Sequence, residues 1–156
     1  MSDAVAVFKQ VDIQGEVVAT YDEARGGTVL KAMFTKLPSG KHGFHIHKAG
    51  DLRGEGCKGA CEHWHKGPGK GVHGSRPRAG ANQERHTGDL GNVEIREGST
   101  AAHYNYFLED VKPAELWGRA MIVHADEDDL GKGGHDDSKT TGHSGARIGC
   151  SVFGRC

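Results

Sequence analysis

Short apolar segments separated by glycine-rich turns are the feature that most restricts the fold of this chain. Glycine accounts for 25 of the 156 residues and only 35% are hydrophobic, which is too few apolar side chains for a helix bundle. Eight segments have the composition and alternation of strands: residues 5–8, 13–19, 28–35, 43–47, 91–95, 101–107, 117–123 and 148–153. The pattern predicts an all-β fold, with Gly15 marking a β-bulge in the second strand.

Two long segments interrupt the strands, at residues 49–88 and 125–145. The first is rich in glycine and proline, and the second is rich in Asp, Gly and His. Loops of this length inside a compact domain are usually functional or disordered, and their histidines and cysteines favour ordering by a metal. We expect a short turn at residues 112–116. No domain boundary is evident, so residues 1–156 are expected to form one domain.

Charge and hydropathy argue against several classes of partner. The formal net charge is −1, whereas a nucleic-acid-binding surface is usually clearly basic. No apolar run approaches the roughly 20 residues of a membrane span, and the first residues lack the pattern of a secretory signal. We therefore expect a cytoplasmic protein that binds neither nucleic acid nor membrane. This location favours reduced thiols, although the separation of Cys57 and Cys150 permits a long-range disulfide.

Eleven histidines are unusual for this length. His45 and His47 lie two apart in a predicted strand, so both rings leave the same face. Asp89 follows His86 by three residues, and the two can close on one ion across a turn. Zinc accepts such mixed nitrogen and oxygen ligands, and several imidazoles in a flatter arrangement suit Cu(II). A single histidine is more often a surface or core residue than a metal ligand. Here, however, four more candidate ligands accompany His45 and His47: His63, His73, His86 and His124.

A series of motifs resembles the copper/zinc superoxide dismutase family from about Asp12 to the end of the chain. In order, they are Gly43-Phe44-His45-Ile46-His47, Gly50-Asp51, Cys57, His63, His73, residues 85–93, Val123-His124, residues 128–133 and residues 141–150. The resemblance implies an eight-stranded antiparallel Greek-key β-barrel or sandwich, immunoglobulin-like in architecture, with two long functional loops. It also implies disproportionation of superoxide to oxygen and hydrogen peroxide by Cu(II)/Cu(I) cycling, with zinc in a structural role.

The same resemblance assigns roles to individual residues. Copper is expected on His45, His47, His63 and His124. Zinc is expected on His63, His73, His86 and Asp89. His63 would bridge the two metals as an imidazolate, which two divalent cations make the stable form, and would act catalytically.

Residues around the metals also match the family. Asp128 matches the carboxylate that links a copper histidine to a zinc histidine and orients both rings. Arg147 matches the catalytic arginine beside the open copper face, and Lys139 and Thr141 are expected to help guide the anion. The resemblance further implies a Cys57–Cys150 disulfide, a homodimer and a possible copper-delivery chaperone.

The chain departs from the family in four places. In the second long loop, the order of residues 138–142 shifts the family's guiding lysine to Lys139. His65 stands two residues after His63 and competes for the bridging role, although we favour His63. The stretch before His86 is longer than usual and basic, which suits a zinc-loop insertion, an anion-attracting surface or a solvated loop; its cations are Lys66, Lys70, Arg76, Arg78 and Arg85. Arg155 replaces an apolar residue of the family's dimer contact, although Trp117 can compensate.

Two other functions are compatible with parts of the pattern. A relative with the same fold could hold metal without turnover, but the full ligand set and Arg147 argue against this. A zinc knuckle that binds nucleic acid could use Cys57, Cys61, His63 and His65. That arrangement leaves the other histidines unexplained. No family counterpart exists for Cys61 or Cys156, which we expect to be free thiols.

Overall fold

The computed structural model describes residues 3–74 and 84–156. The strands are β1 (Ala4–Lys9), β2 (Gln14–Asp22), β3 (Gly27–Lys36), β4 (His42–His47), β5 (Asp89–Val93), β6 (Ala102–Glu109), β7 (Ala120–His124), β8 (Arg147–Val152) and β9 (Gly154–Arg155). Short 3-10 helices span Glu55–Ala60 and Pro113–Leu116. All eight predicted strands are present, and the expected turn at residues 112–116 is the second of these helices. The short β9 was not predicted.

The strands form two antiparallel sheets. One has the order β6-β3-β2-β1-β9, and the other has the order β5-β4-β7-β8. The chain leaves the first sheet after β3, builds β4 and β5, and returns at β6 to lie beside β3, so neighbours in sequence are split between layers. This confirms the predicted antiparallel sandwich of immunoglobulin-like architecture.

Backbone pairing among the described strands does not close the two sheets into a barrel. Closure would need backbone hydrogen bonds between β8 and β1, but these two strands are connected by side chains instead. The Ser151 hydroxyl donates to the Val7 carbonyl at 2.8 Å, and the Gln10 amide donates to the Cys150 carbonyl at 2.9 Å. The two sheets are therefore joined along this edge by side-chain hydrogen bonds.

Aromatic rings fill the space between the sheets. The Phe34 ring lies 5.6 Å from that of Phe8 and 5.4 Å from that of Phe44, measured between centroids, and all three side chains are buried. Complete burial of a side chain of this size contributes roughly 1.5–3 kcal/mol. Because Phe44 belongs to β4, this packing fixes the strand that also carries His45 and His47.

Gly15 lies at the predicted bulge. The register of β2 against β3 shifts between Gln14 and Gly15, as the sequence indicated. A Cβ atom at Gly15 would lie 2.4 Å from the Met33 carbonyl oxygen. The close approach of two backbones therefore explains why glycine is needed at this position.

A disulfide joins Cys57 in the first long loop to Cys150 in β8. The two Cα atoms are 6.5 Å apart, although the residues are separated by 93 positions. The pairing implied by the family resemblance is therefore confirmed, although the missing secretory signal by itself favours reduced thiols. Cys61 and Cys156 are free and exposed.

No helix within residues 3–74 and 84–156 is long and apolar enough to cross a membrane.

Removing the disulfide should destabilise the protein strongly. In the chain-entropy model, a closed loop of this length contributes about 4–5 kcal/mol to stability. We expect the Cys57→Ser/Cys150→Ser double variant to lose a free energy of unfolding of that order in urea titrations. Cys156→Ser removes an exposed free thiol and is the control that should leave the transition unchanged. Equal midpoints for the double variant and the wild type would contradict this assignment of stability.

Candidate metal centre

The second sheet supplies the foundation of a cluster of histidines. His45 and His47 lie in β4, which is flanked by β5 and β7. His45 is opposite Asp89 at the start of β5, and His124 ends β7. Three adjacent strands thus bring these four side chains to one region, and the pairing register fixes their spacing.

The first group contains three strand histidines and one from the loop. Its members are His45, His47, His63 and His124, with one ring nitrogen of each lying within 4.8 Å of the others. The loop residue is held by a backbone bridge between His63 and His47. All four side chains are buried, with residue exposures no greater than 4%.

The second group shares His63 with the first. It contains His63, His73, His86 and Asp89, again with ligand atoms within 4.8 Å. Asp89 Oδ1 lies 2.8 Å from His63 Nδ1 and 3.0 Å from His73 Nδ1. His65, the competing residue, is in neither group, and its ring centroid is 5.7 Å from that of His86. The structure therefore puts His63, and not His65, between the two groups.

Hydrogen bonds outside the first group fix which ring nitrogens face inward. The Nδ1–H of His47 donates to the Cys61 carbonyl at 2.8 Å, and that of His124 donates to the Gly145 carbonyl at 3.1 Å. The two Nε2 lone pairs then face each other across only 3.3 Å. Two lone pairs repel at this distance, and a cation between them removes the repulsion.

Two further buried nitrogens of this group have no hydrogen-bond partner. They are His45 Nδ1 and His63 Nε2. An unpaired buried polar atom is costly, and neutral imidazole nitrogen is a common metal ligand. The first group therefore fits a bound metal ion through four imidazole nitrogens, and the second fits one through three imidazoles and a carboxylate, a set that suits zinc.

Asp128 connects the two groups from behind. Its Oδ2 lies 2.7 Å from His45 Nε2, and its Oδ1 lies 2.8 Å from His73 Nε2. Each ring therefore donates its N–H to this carboxylate and turns its other nitrogen inward. Asn92 fixes Asp128 in turn. The Asp128 backbone N–H donates to the Asn92 side-chain oxygen at 2.7 Å, and the Asn92 side-chain amide donates to the Asp128 carbonyl at 3.0 Å.

Asn92 and His42 were missed as supporting residues by the sequence reasoning. Asn92 lies within a motif used for the resemblance, but nothing in its position revealed its partner in the second long loop. His42 comes directly before the motif Gly43-Phe44-His45-Ile46-His47, and it is buried. Its Nδ1 is 2.9 Å from the His124 carbonyl oxygen and its Nε2 is 2.9 Å from that of Pro38. This ring ties the end of β7 to the turn before β4.

Comparison with known proteins agrees with this geometry. The family model described as copper/zinc superoxide dismutase matches residues 13–153. The chain belongs to this family. A relative from Orgyia pseudotsugata multicapsid polyhedrosis virus, provisionally described as a Cu-Zn superoxide dismutase, is 45% identical over 124 residues, which cover 77% of this chain and 76% of that protein.

A solved structure shows the same fold. The crystal structure of the clock protein EA4 matches with a TM-score of 0.82 and 34% identity, covering 97% of this chain and 93% of that chain. The protein is thus a superoxide dismutase with copper and zinc as its cofactors. The zinc-knuckle alternative is wrong, because Cys57 is committed to the disulfide.

Burial keeps the histidines of the first group in the ligand form. Burial, with the nearby His63, lowers the pKa of His45 and of His47, and burial also lowers the pKa of His63. The pKa of His124 falls to about 4 for the same main reason. These rings are therefore neutral near pH 7 and present free lone pairs.

The carboxylates have the opposite effect in the second group. Burial disfavours charge on His73, but hydrogen bonds to Asp128 and Asp89 outweigh it and raise the pKa of this ring to about 9. Burial also disfavours the Asp89 carboxylate, yet hydrogen bonds from His63, His73 and His86 hold its pKa well below the usual range. Without metal, a protonated His73 supplies positive charge beside the two carboxylates near pH 7.

Arg147 lies beside the first group, opposite His124 in the pairing of β7 with β8. Its guanidinium donates to the Cys57 carbonyl at 2.9 Å and to the Cys61 carbonyl at 2.6 Å. Because the Cys61 carbonyl also accepts from His47, one loop carbonyl connects the arginine to a histidine of the group.

Lys139 and Thr141, expected to guide an anion, are both exposed. Lys139 and His63 line a common cavity of about 670 Å³. The Thr141 hydroxyl donates to Asp137 at 3.1 Å, so it is directed toward its own loop.

The cations of the basic stretch before His86 differ in their contacts. Lys66 pairs with Glu115 at 3.0 Å, and Arg85 donates to the backbone carbonyls of His86 and Thr87. Lys70 lines the cavity that contains His63. Arg76 and Arg78 lie outside the described residues.

Weakening Asp128 should reduce zinc affinity. An amide in Asp128→Asn can accept from only one of the two imidazoles, so one ring loses its orientation. Loss of such a supporting carboxylate typically costs roughly 10–100-fold in metal affinity. Competition with a zinc chelator measures the effect. The exposed Asp136→Asn, which removes the same charge from the same loop, should bind zinc as the wild type does; similar losses in both variants would refute a positional role for Asp128.

The metal-free protein should be most stable near pH 6.5. The pKa of His124 falls from 6.5 to about 4 on folding, so its contribution is complete above pH 6.5 and is lost as pH falls toward 4. The pKa of His73 rises from 6.5 to about 9, so its contribution is complete below pH 6.5 and is lost as pH rises through 9. Urea unfolding with a chelator present measures this; a steady rise in stability from pH 4 to 9 would contradict the opposed shifts.

Proposed function

We propose that this chain disproportionates superoxide to oxygen and hydrogen peroxide by copper cycling at the first group of histidines. In this proposal, copper is held by His45, His47, His63 and His124, and zinc by His63, His73, His86 and Asp89. The observation that carries it is the position of His63, whose Nδ1 faces the second group while its buried Nε2 has no partner. One ring can therefore serve two metal ions as a bridging imidazolate.

The proposed chemistry divides the work between metals and side chains. Bound copper supplies one-electron transfer by alternating between Cu(II) and Cu(I), while zinc supplies a fixed positive charge and has no redox chemistry. His63 accepts a proton at Nε2 after the first superoxide has left as oxygen, and returns it when the second becomes peroxide. Its Nδ1 stays engaged with the second group, so the ring keeps its place. In total, two superoxide ions and two protons give one oxygen and one hydrogen peroxide.

Guidance of the anion is assigned to local cations. Superoxide is a small monoanion with almost no surface for recognition, and the formal net charge of the chain is −1. The attraction of superoxide must therefore come from the local placement of positive charges and not from the net charge of the chain. Arg147 is fixed on two loop carbonyls next to His124, and its guanidinium stays charged at any working pH. Lys139 adds charge at the cavity that contains His63, and Thr141 supports the loop.

We further propose a cytoplasmic homodimer that receives copper from a delivery protein. Val7 is 42% exposed and Leu52 is 37% exposed, which supplies apolar surface near the C-terminal strand and the first loop. The Arg155 guanidinium lies 5.3 Å from the Trp117 ring centroid, so a cation–π contact stabilises the charge at this edge.

Light scattering at micromolar concentration should give twice the monomer mass; a monomer mass would contradict the dimer.

Charge reversal at Arg147 tests the enzymatic proposal. The copper- and zinc-loaded wild type should consume superoxide rapidly, and its rate should fall with added salt because screening limits the field to about 8 Å at physiological ionic strength. Arg147→Glu should lower the rate by about tenfold or more with metal content unchanged, and Arg147→Lys should lower it less. Pulse radiolysis and elemental analysis measure both quantities.

Two results would refute parts of this proposal. A fully metal-loaded wild type without superoxide turnover would contradict the enzymatic function itself. Full activity in Arg147→Glu, together with a rate that does not depend on salt, would contradict guidance by this residue alone.

A further inference from the structure

His65 lies beside the second group without belonging to it. The chain around it is held between two backbone neighbours. The Trp64 N–H donates to the Ile46 carbonyl at 2.8 Å, and the Trp64 carbonyl accepts at 2.9 Å from a backbone N–H just before β5. Alternate side chains of such a segment leave opposite sides, so Trp64 is buried while His63 and His65 share the other side. The His86 ring lies near both, with centroid distances of 5.5 Å to His63 and 5.7 Å to His65.

Two glycines of the first long loop enclose the His65 ring. A Cβ atom at Gly67 would lie 2.7 Å from His65 Nε2. A Cβ atom at Gly71 would lie 2.9 Å from the His65 ring and 2.9 Å from the His86 ring. Because glycine lets the backbone approach this closely, the loop itself packs against both imidazoles. The fold therefore holds His65 at a defined place next to His86.

The His65 ring offers a nitrogen that is not used by the protein. The residue is half-buried, and its buried Nδ1 has no hydrogen-bond partner among the residues that the structure describes. An unpaired buried nitrogen is costly, whereas a neutral imidazole nitrogen is a common metal ligand. His65 is in neither of the two four-membered groups, so its free nitrogen suits an ion that stays beside the second group only briefly.

A cavity of about 670 Å³ brings His65 together with two members of the second group, His63 and His86. Glu62 also lines this cavity and pairs with Lys48 at 3.7 Å. The walls carry four cationic side chains: Lys48, Lys70, Arg119 and Lys139. Positive charge on the walls opposes the passage of Zn²⁺. A nitrogen lone pair inside the cavity lowers that cost, because it binds the ion where the ion gives up water.

We propose that His65 is a transit ligand for zinc. It receives zinc from the cavity, passes it to His86 and the rest of the second group, and takes it back when zinc is released. This inference rests on the proposed assignment of zinc to the second group. A ligand that acts only during passage lowers the barrier equally in both directions. His65 therefore speeds uptake and release by the same factor and leaves the zinc affinity unchanged.

The rate of zinc release tests this role without reference to superoxide turnover. The copper- and zinc-loaded protein is mixed with a chromogenic chelator in excess, at concentrations where the rate no longer depends on the chelator. We expect His65→Ala and His65→Gln to release zinc about tenfold more slowly than the wild type, equivalent to about 1.4 kcal/mol of barrier height. Equilibrium competition should give both variants the zinc affinity of the wild type.

A purely structural role for His65 predicts the opposite sign. If the ring only supported His86, its loss would weaken zinc binding and make release faster. Faster or unchanged release in either variant would therefore overturn the proposal. His103→Gln removes an exposed histidine from β6 in the other sheet and is the control that should release zinc as the wild type does.

Two charge variants test the route. Lys70→Gln removes a cation from the cavity wall and should speed release about twofold, because repulsion during passage falls. Lys36→Gln removes an exposed cation from β3 and should leave the rate unchanged. Equal rates in these two variants would contradict passage through this cavity. Zinc-loaded wild type without superoxide turnover would contradict the proposed function, and the release rates would still decide the role of His65.

Discussion

The centre of this protein depends on mutual repulsion among buried imidazole lone pairs. His47 and His124 point Nε2 atoms at each other across 3.3 Å, and the unpartnered nitrogens of His45 and His63 lie in the same group. No rotation resolves this arrangement without breaking hydrogen bonds to carbonyls or to Asp128. A bound cation turns each repulsion into attraction. The free energy of metal binding therefore adds directly to the stability of the folded state.

The remaining structure maintains that arrangement. The aromatic core between the sheets fixes β4, and the register of β4 with β5 and β7 sets the distances among the strand ligands. The loops then add His63, His73 and His86, and they are restrained by the Cys57–Cys150 disulfide and by Asp128. A rigid sheet thus supplies four of the seven candidate ligands, and loops ordered by covalent and polar contacts supply the other three.

The sequence was sufficient for the strands and for the candidate ligands, because period-two alternation and closely spaced histidines are local signals. His45 and His47 were recognisable from their spacing alone. The choice between His63 and His65 depended on resemblance, since both occupy the same loop and only its folded path separates them. Asn92 and His42 could not be found, because their partners lie 36 and 82 residues away. The Cys57–Cys150 disulfide was predicted from the resemblance and not from the residues alone, because its two cysteines lie 93 positions apart.

The most direct test is to ask whether His63 couples the two metals. Protein loaded with Cu(II) at both groups should lose most of its electron paramagnetic resonance signal, since a bridging imidazolate pairs the two unpaired electrons. His65→Ala should keep this coupling, because its ring belongs to neither group. His63→Ala should restore the signal of two separate Cu(II) ions. Coupling that persists in His63→Ala, or disappears in His65→Ala, would contradict the account.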